Sequence, residues 1–369
     1  MKKYISGYDD SYYVFKLAFN VEKHIEYMQS GRNHIYEDHG VFKLYTYDGY
    51  IILSSDAQQL FDCYTEDDVL SIDSNGIVYE QYNSQSDDNA LVVTLQCNSN
   101  CIMCPCSEKS RREAQLSSIW DLTELLKYFP TSPHFLTITG GEPTLLKEDF
   151  FALMKIFQAT YDETNFLLLT NGRAFGDFKF TQQFIECIPD NIKLGIPLYG
   201  YDEESHDSIT QTPGSFKQTV IGIHNLLHYN VDVEIRIVLT KLNISYIDKV
   251  SRYIVKYFHG VKSVNFMGLE LLGNAAKNKE LVWLPYDEMF KKSQDAIKLL
   301  ISHGIDVQVY NFPLCSVKKD YWSLCAKSIS DYKIRYSEQC NDCEVKAICG
   351  GVFESTKNIT KFVGKPIKG

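Results

Sequence analysis

The chain has 369 residues, 44% hydrophobic and 23% charged, a composition that belongs to a folded globular protein and excludes a disordered one. Lysine and arginine number 37 against 47 aspartate and glutamate, a net charge of −10, and a field of that sign repels nucleic-acid phosphates. No window approaches the ~18 unbroken apolar residues of a membrane span, and Asp9 and Asp10 stand where a signal peptide would carry its apolar stretch, so the expected location is the cytoplasm, with no nucleic-acid or membrane partner.

Residues 1–83 predict a β-rich module with two hairpins. Asp48-Gly49 separates runs at 41–45 and 50–53, and Asn75-Gly76 separates runs at 69–72 and 77–79. Both dipeptides suit the positive φ of a type I′ turn. A sheet edge of this kind can take up a peptide as an added strand; a cap that merely stabilises the next domain would read the same way. The polar run 83–89 is a linker.

From residue 90 short β-rich runs alternate with segments of helical period. Strands are expected at 90–96, 135–139, 166–170, 192–196, 233–239 and 264–269, and helices at 116–128, 148–161, 180–188, 216–228, 246–258 and 286–303. This alternation predicts an α/β domain over 90–304, a partial barrel of six βα units around a parallel sheet. Chemistry in such a fold gathers where strands end. Cys97 follows the first strand, Gly140-Gly141-Glu142-Pro143 the second, and Asn171-Gly172 the third. After about 305 the alternation stops, and 305–369 reads as a cysteine-rich third unit whose basic run, Lys357 to Lys368, is expected to be a solvated tail.

Eleven cysteines in a chain with no export signal argue against a disulfide framework and for metal or catalytic thiolates. Cys97, Cys101 and Cys104 form a C-x3-C-x2-C run. Three clustered thiolates suit a soft metal site, and in a four-iron cubane they leave one iron open to an outside ligand. A zinc site completed by Cys106 or a distant histidine would use the same spacing. In the Gly-Gly-Glu-Pro segment the glycines let backbone approach a ligand closely, and Glu142 offers a carboxylate to an ammonium; a tight turn would use the same residues.

Together, the three-cysteine run and Gly-Gly-Glu-Pro one unit later resemble the radical S-adenosylmethionine (SAM) superfamily, whose partial (β/α)6 barrel carries this pair after its first two strands. The likeness covers about residues 90–300. It implies that Cys97, Cys101 and Cys104 hold a [4Fe-4S] cluster, that SAM chelates the open iron, and that Gly140, Gly141 and Glu142 receive its amino group. Met103 would pack over the adenine where relatives carry an aromatic residue. Pro143 and Asn171 join the same cofactor-binding set, and Arg236 would pair with the SAM carboxylate unless it serves a structural ion pair. Reductive cleavage would then give methionine and a 5′-deoxyadenosyl radical that abstracts hydrogen from substrate. Two departures stand out: Pro197-Leu198-Tyr199-Gly200 replaces the family's Ser-x-Asp-Gly, removing the ribose-contacting serine, and no arginine follows His206-Asp207.

Near the C-terminus Cys340-x2-Cys343-x5-Cys349 resembles the core of SPASM and twitch domains. The resemblance implies one auxiliary [4Fe-4S] cluster on Cys315, Cys340, Cys343 and Cys349, with Cys325 as the extra thiol; a zinc knuckle is the alternative. The phrases Ile196-Pro197-Leu198-Tyr199, His206-Asp207, Gly214-Ser215-Phe216, Met267-Gly268-Leu269-Glu270, Ser328-Ile329-Ser330-Asp331 and Cys349-Gly350-Gly351 resemble the HxsC group, maturases of the His-Xaa-Ser peptide system. That likeness implies an enzyme that modifies a ribosomally made precursor peptide, with a flavodoxin or ferredoxin as electron donor; relatives with SPASM-type tails form crosslinks, which puts oxidative crosslinking first, ahead of a redox-neutral epimerisation in which a free thiol such as Cys325 would be the second hydrogen donor. The competing readings are a small-molecule radical SAM enzyme of cofactor biosynthesis, against which the scarcity of arginine for a triphosphate pocket counts, and a non-catalytic zinc-stabilised binding protein.

Overall fold

The computed structural model describes residues 3–6, 11–330 and 332–368; Asp9, Asp10 and Asp331, used in the sequence reading, lie outside them. The chain divides into two compact units, one of residues 1–91, 117–137 and 159–165, the other of 92–116, 138–158 and 166–369.

The first unit carries seven strands: β1 (Lys3–Tyr4), β2 (Tyr13–Ala18), β3 (His34–Asp38), β4 (Val41–Thr46), β5 (Gly49–Ile52), β6 (Val69–Ile72) and β7 (Ile77–Tyr82), in the spatial order β1-β7-β6-β2-β3-β4-β5. Both expected hairpins are present, β4 with β5 and β6 with β7, and Gly49 and Gly76 take φ of 138° and 77° at their turns. The sheet is mixed, because β2 and β3 pair in parallel and a parallel pair needs a crossover. Helix Val21–Ser30 supplies it. Asn20 caps its start by accepting the Lys23 N–H at 2.9 Å, and Gly31, at φ 66°, ends it. Periodicity did not reveal this helix because Val21, Ile25 and Met28 are exposed, leaving Tyr27 as its buried residue. Ile5, Phe15, Leu17, Ile35, Leu44 and Leu60 form the core. Residues 117–137 belong to this unit through contacts such as the Asn33 N–H donating to the Tyr128 hydroxyl at 3.0 Å and the Tyr82 and Phe129 rings 5.1 Å apart.

The second sheet has eight strands in chain order: β8 (Ala90–Thr94), β9 (Phe135–Gly140), β10 (Asn165–Leu169), β11 (Ile192–Pro197), β12 (Asp232–Val238), β13 (Ser263–Met267), β14 (Asp306–Tyr310) and β15 (Cys325–Ala326). From β10 to β15 every neighbouring pair is parallel. The six expected strands are therefore joined by two more, and the sheet does not stop at residue 305. Asp-Val-Gln-Val-Tyr has too few apolar residues, and Cys325–Ala326 is too short, for periodicity to reveal either. The strands are also less uniformly apolar than expected. Val233, Ile235 and Ile237 share one face of β12, while Glu234 and Arg236 share the other. The register places Glu234 opposite Gly195, Arg236 opposite Asn265, and Met267 opposite Tyr310, so that face is polar.

The basic C-terminal run is not a free tail. After helix Glu354–Thr360, Lys361 turns the chain at φ 55°, and the Gly364 N–H donates to Ser337 Oγ at 2.9 Å. Among the described residues no helix is long and apolar enough to cross a membrane.

Candidate functional site

The three-cysteine loop leaves the end of β8 and is held almost entirely through its backbone. The N–H groups of Asn100 and Ile102 donate to the carbonyls of Thr210 and Ile209 at 3.0 and 2.9 Å, the last residues of helix Glu203–Thr210. From the other side Asn274 Nδ2 donates to the Cys101 carbonyl at 3.1 Å, Asn278 Nδ2 donates to that of Ile102 at 2.9 Å, and the Asn274 N–H reaches the Cys104 carbonyl at 2.9 Å. Arg111, 6% exposed, donates to the Cys106 carbonyl at 2.6 Å and to Asn100 Oδ1. Most of what holds the loop falls on its backbone; of the thiols, Cys97 Sγ accepts the Ser99 N–H at 3.4 Å and Cys104 pairs with the Cys106 thiol.

Burial pushes the Cys97 thiol up to about 11 and that of Cys101 up to about 12, because a buried thiolate loses its hydration. Cys104 moves the other way, down to about 6, held by the thiol of Cys106 and by the nearby Arg111 guanidinium. Cys106 is thus the hydrogen-bond donor to Cys104, and its own thiol is pushed up. Among the described residues no group of three or more His, Cys, Asp or Glu side chains could hold a single metal ion. Thiolates that each bind a separate iron of a cubane need not converge on one point. A soft donor set on a preformed loop fits the cluster that the resemblance implies, with Cys97, Cys101 and Cys104 as its ligands.

Gly140-Gly141-Glu142-Pro143 lies directly on this loop. The Gly141 and Glu142 N–H groups donate to the carbonyls of Thr94 and Gln96 at 2.7 and 2.8 Å. A Cβ on Gly140 would stand 2.0 Å from the Thr94 oxygen, and one on Gly141 2.1 Å from that of Gln96. The glycines are required by this backbone-on-backbone packing, before any ligand is considered. Glu142 is fully buried. One carboxylate oxygen accepts from the Thr144 N–H at 3.1 Å and from the Thr144 and Thr170 hydroxyls at 2.7 Å each; the other accepts from the Asn171 N–H at 2.7 Å. Burial raises this carboxyl against those four bonds, which favour the charged form. Its side chain therefore ties the ends of β9 and β10 together, and the half-exposed Gly140 and Gly141 backbone is what remains for a ligand amine. Pro143 is buried at the start of the short turn Pro143–Leu146.

Asn171 extends the same network: its Nδ2 donates to Asn98 Oδ1 at 2.7 Å, and its Oδ1 accepts from the Arg173 N–H at 3.0 Å. Arg173 then donates to the Asn98 carbonyl at 2.6 Å and to Ser99 Oγ at 3.1 Å. Met103 is 4% exposed, part of the loop's own packing. Arg236 lies on the polar face of β12. Its guanidinium is 3.3 Å from Glu234 Oε1, 5.8 Å from the Tyr310 ring centre, and its Nε donates to Met267 Sδ at 3.4 Å. The ion pair weighed from sequence is present.

Sequence reasoning missed Arg111, Arg173, Asn274 and Tyr199. None of the first three belongs to a motif: Arg173 and Asn274 act on the loop from distant segments, and Arg111 reaches back to it from the helix that follows. Tyr199 was noted only as part of the Pro197-Leu198-Tyr199-Gly200 segment that replaces Ser-x-Asp-Gly, where it stands at the aspartate's place. It is buried close enough to Cys97, Cys101, Cys104 and Arg236 for their charges to act on its hydroxyl, whose ionisation burial suppresses.

Cys315, Cys340, Cys343 and Cys349 line one cavity. Cys325 is not on its wall; its thiol is directed to the Tyr321 carbonyl at 3.6 Å. Cys349 Sγ accepts from the N–H groups of Leu314 and Gly351 at 3.3 and 3.4 Å, and Cys343 Sγ accepts from that of Ile367 at 3.4 Å. Four thiols in one cavity, several already facing N–H donors, are a donor set suited to an iron–sulfur cluster.

Residues 91–254 match the family description "Radical SAM superfamily". The chain is 27% identical over 207 residues to an uncharacterized protein of Methanocaldococcus jannaschii, covering 55% of this chain and 68% of that one. It is 26% identical over 202 residues to the sporulation killing factor maturation protein SkfB of Bacillus subtilis (54% and 46%), and 28% identical over 167 residues to the AdoMet-dependent heme synthase of Methanosarcina barkeri (42% and 44%). It thus spans less than half the length of the last two. Among solved structures, Streptococcus suis SuiB bound to its precursor peptide SuiA superposes with a TM-score of 0.49 at 11% identity, over 60% of this chain and 48% of that one, a likeness too slight to carry an argument. The three-cysteine loop and the Gly-Gly-Glu-Pro turn both lie inside the matched residues, so residues 91–254 of this chain are similar to the radical SAM superfamily.

Proposed function

We propose that this protein is a radical SAM peptide maturase that forms an oxidative crosslink in a ribosomally made precursor, in the manner of the HxsC group. The observation that carries the reading is the joining of two motifs: Gly141 and Glu142 hydrogen-bond directly to the backbone of the strand and loop that present Cys97. The sheet would form the wall of a partial barrel, with its polar face toward the substrate.

When bound, the cluster supplies the electron that splits SAM into methionine and a hydrogen-abstracting 5′-deoxyadenosyl group. Everything else falls to the chain. Cys97, Cys101 and Cys104 would hold three irons, leaving the fourth to SAM. The Gly140 and Gly141 backbone would take the amino group, Glu142 would keep that turn rigid from beneath, and Arg236 would share its charge between Glu234 and the SAM carboxylate. The four C-terminal cysteines would hold an auxiliary cluster. A flavodoxin or ferredoxin would supply electrons, and the reducing cytoplasm suits thiolate ligands.

The maturation role of SkfB favours a peptide substrate. A second reading, a small-molecule enzyme of cofactor biosynthesis, is favoured by the heme synthase relative. The test is anaerobic reconstitution, followed by iron, sulfide and 5′-deoxyadenosine assays under a strong reductant, then incubation with any short peptides found encoded beside the gene. About eight irons, cleavage abolished by Cys97→Ala, and a peptide lighter by one hydrogen pair per bond are expected. No iron would overturn the reading; cleavage with every peptide unchanged and a porphyrin precursor consumed would favour the second one.

A further inference from the structure

The last residues of the chain run across the four-cysteine cavity. Phe362, Lys365 and Ile367 line it together with Cys315, Cys340, Cys343 and Cys349. The segment is pinned at several points. The Gly364 N–H donates to Ser337 Oγ at 2.9 Å, and that oxygen lies 3.3 Å from Cys340 Sγ. The Ile367 N–H donates to Cys343 Sγ at 3.4 Å, while the Ile367 carbonyl accepts from the Glu344 N–H at 3.1 Å. The backbone of Lys365 donates to the thiol of Cys315. Outside the cavity the Phe362 ring packs edge-on against Tyr286 at 6.0 Å, and the Lys365 ammonium lies 3.7 Å from Asp287.

Gly364 shows how close the approach is. A Cβ there would stand 2.7 Å from Cys340 Sγ and 3.1 Å from Ser337 Oγ, so any larger residue pushes the segment off the sulfur. Two of the four thiols take their backbone N–H donor from this segment. A four-thiolate cluster is anionic, and N–H···S bonds, a nearby ammonium and exclusion of water all stabilise it.

We propose that residues 362–367 are a strap that closes the four-cysteine cavity, with Gly364 and the Ile367 N–H as the positioning groups that seat it, and that the strap protects an iron–sulfur cluster held entirely by protein thiolates. This rests on reading the cavity as a cluster site.

The test uses the full-length chain with Cys97, Cys101 and Cys104 all changed to alanine, so that iron reports on the C-terminal site alone. About four irons are expected after anaerobic reconstitution, and none when Cys340→Ala is added. Gly364→Ala, Gly364→Val and Ile367→Pro should load the same iron anaerobically, then lose it to air or chelator several-fold faster than the background, Gly364→Val faster than Gly364→Ala. Val363→Ala, an exposed side chain in the same segment, should behave as the background does. Melting of the metal-free proteins checks that each variant is folded. Equal iron loss from all folded variants would overturn the strap while leaving the cluster site standing. Iron retained despite Cys340→Ala would overturn the cluster site, and the strap with it.

Discussion

The backbone N–H of Tyr199 donates to Nδ1 of His206 at 3.2 Å, and the two rings stack with centroids 5.7 Å apart. The bond requires a lone pair on Nδ1, so the imidazole is neutral and carries its proton on Nε2. Burial lowers His206 to about 4. The unfolded chain, with an ordinary histidine, binds a proton through the window from about 6.5 to 4 that the folded chain refuses, so stability falls with pH there. The full contribution is about 3 kcal/mol. Denaturant unfolding of the metal-free protein from pH 7 to pH 4 should show that loss, and His206→Phe should flatten the slope.

Glu142 is a prediction about stability before it is one about ligand binding. Glu142→Ala strands two hydroxyls and two N–H groups in a buried site, a loss of about 3–5 kcal/mol. Glu142→Gln preserves volume but has no second acceptor for the Asn171 N–H, and should cost about 2 kcal/mol. Thermal melting of the metal-free proteins checks both; two variants melting with wild type would show that the four bonds contribute nothing.

Gly141→Ala tests whether the two motifs form one device. The added methyl meets the Gln96 oxygen at 2.1 Å and the Leu95 oxygen at 2.5 Å, contacts with rigid backbone that only a shift of the cysteine loop relieves. The expected outcome is a folded protein whose N-terminal cluster loads at a small fraction of the wild-type iron, measured with Cys340→Ala present to silence the other site.

Arg236 has an alternative employer in Glu234. Arg236→Ala should weaken SAM binding at least about tenfold, equivalent to about 1.4 kcal/mol, by titration calorimetry on the reconstituted protein. Glu234→Gln, which frees the guanidinium, should leave affinity unchanged or tighten it. Unchanged affinity in Arg236→Ala would reduce the residue to a structural ion pair.

The sequence by itself determined the chemistry-bearing residue types and their places along the chain. Cys97, Cys101 and Cys104 were legible as candidate cluster ligands because such ligands sit at fixed short spacings, and the six main strands because buried β segments leave apolar runs between helical periods. The hairpins at Asp48-Gly49 and Asn75-Gly76 were legible because a tight turn demands residues that accept positive φ. Tertiary structure decided what those residues touch. Spacing cannot say that the Glu142 carboxylate is consumed by Thr144, Thr170 and Asn171, since its partners lie on two strand ends brought together only by the sheet. Nor can it say that Asn274 steadies a loop some 170 residues away, that β14 and β15 extend the sheet, or that a lysine-rich end lies across Cys340 and Cys343 instead of in water. Local patterns record backbone preference and burial; hydrogen-bond partners depend on which distant segments the fold packs side by side.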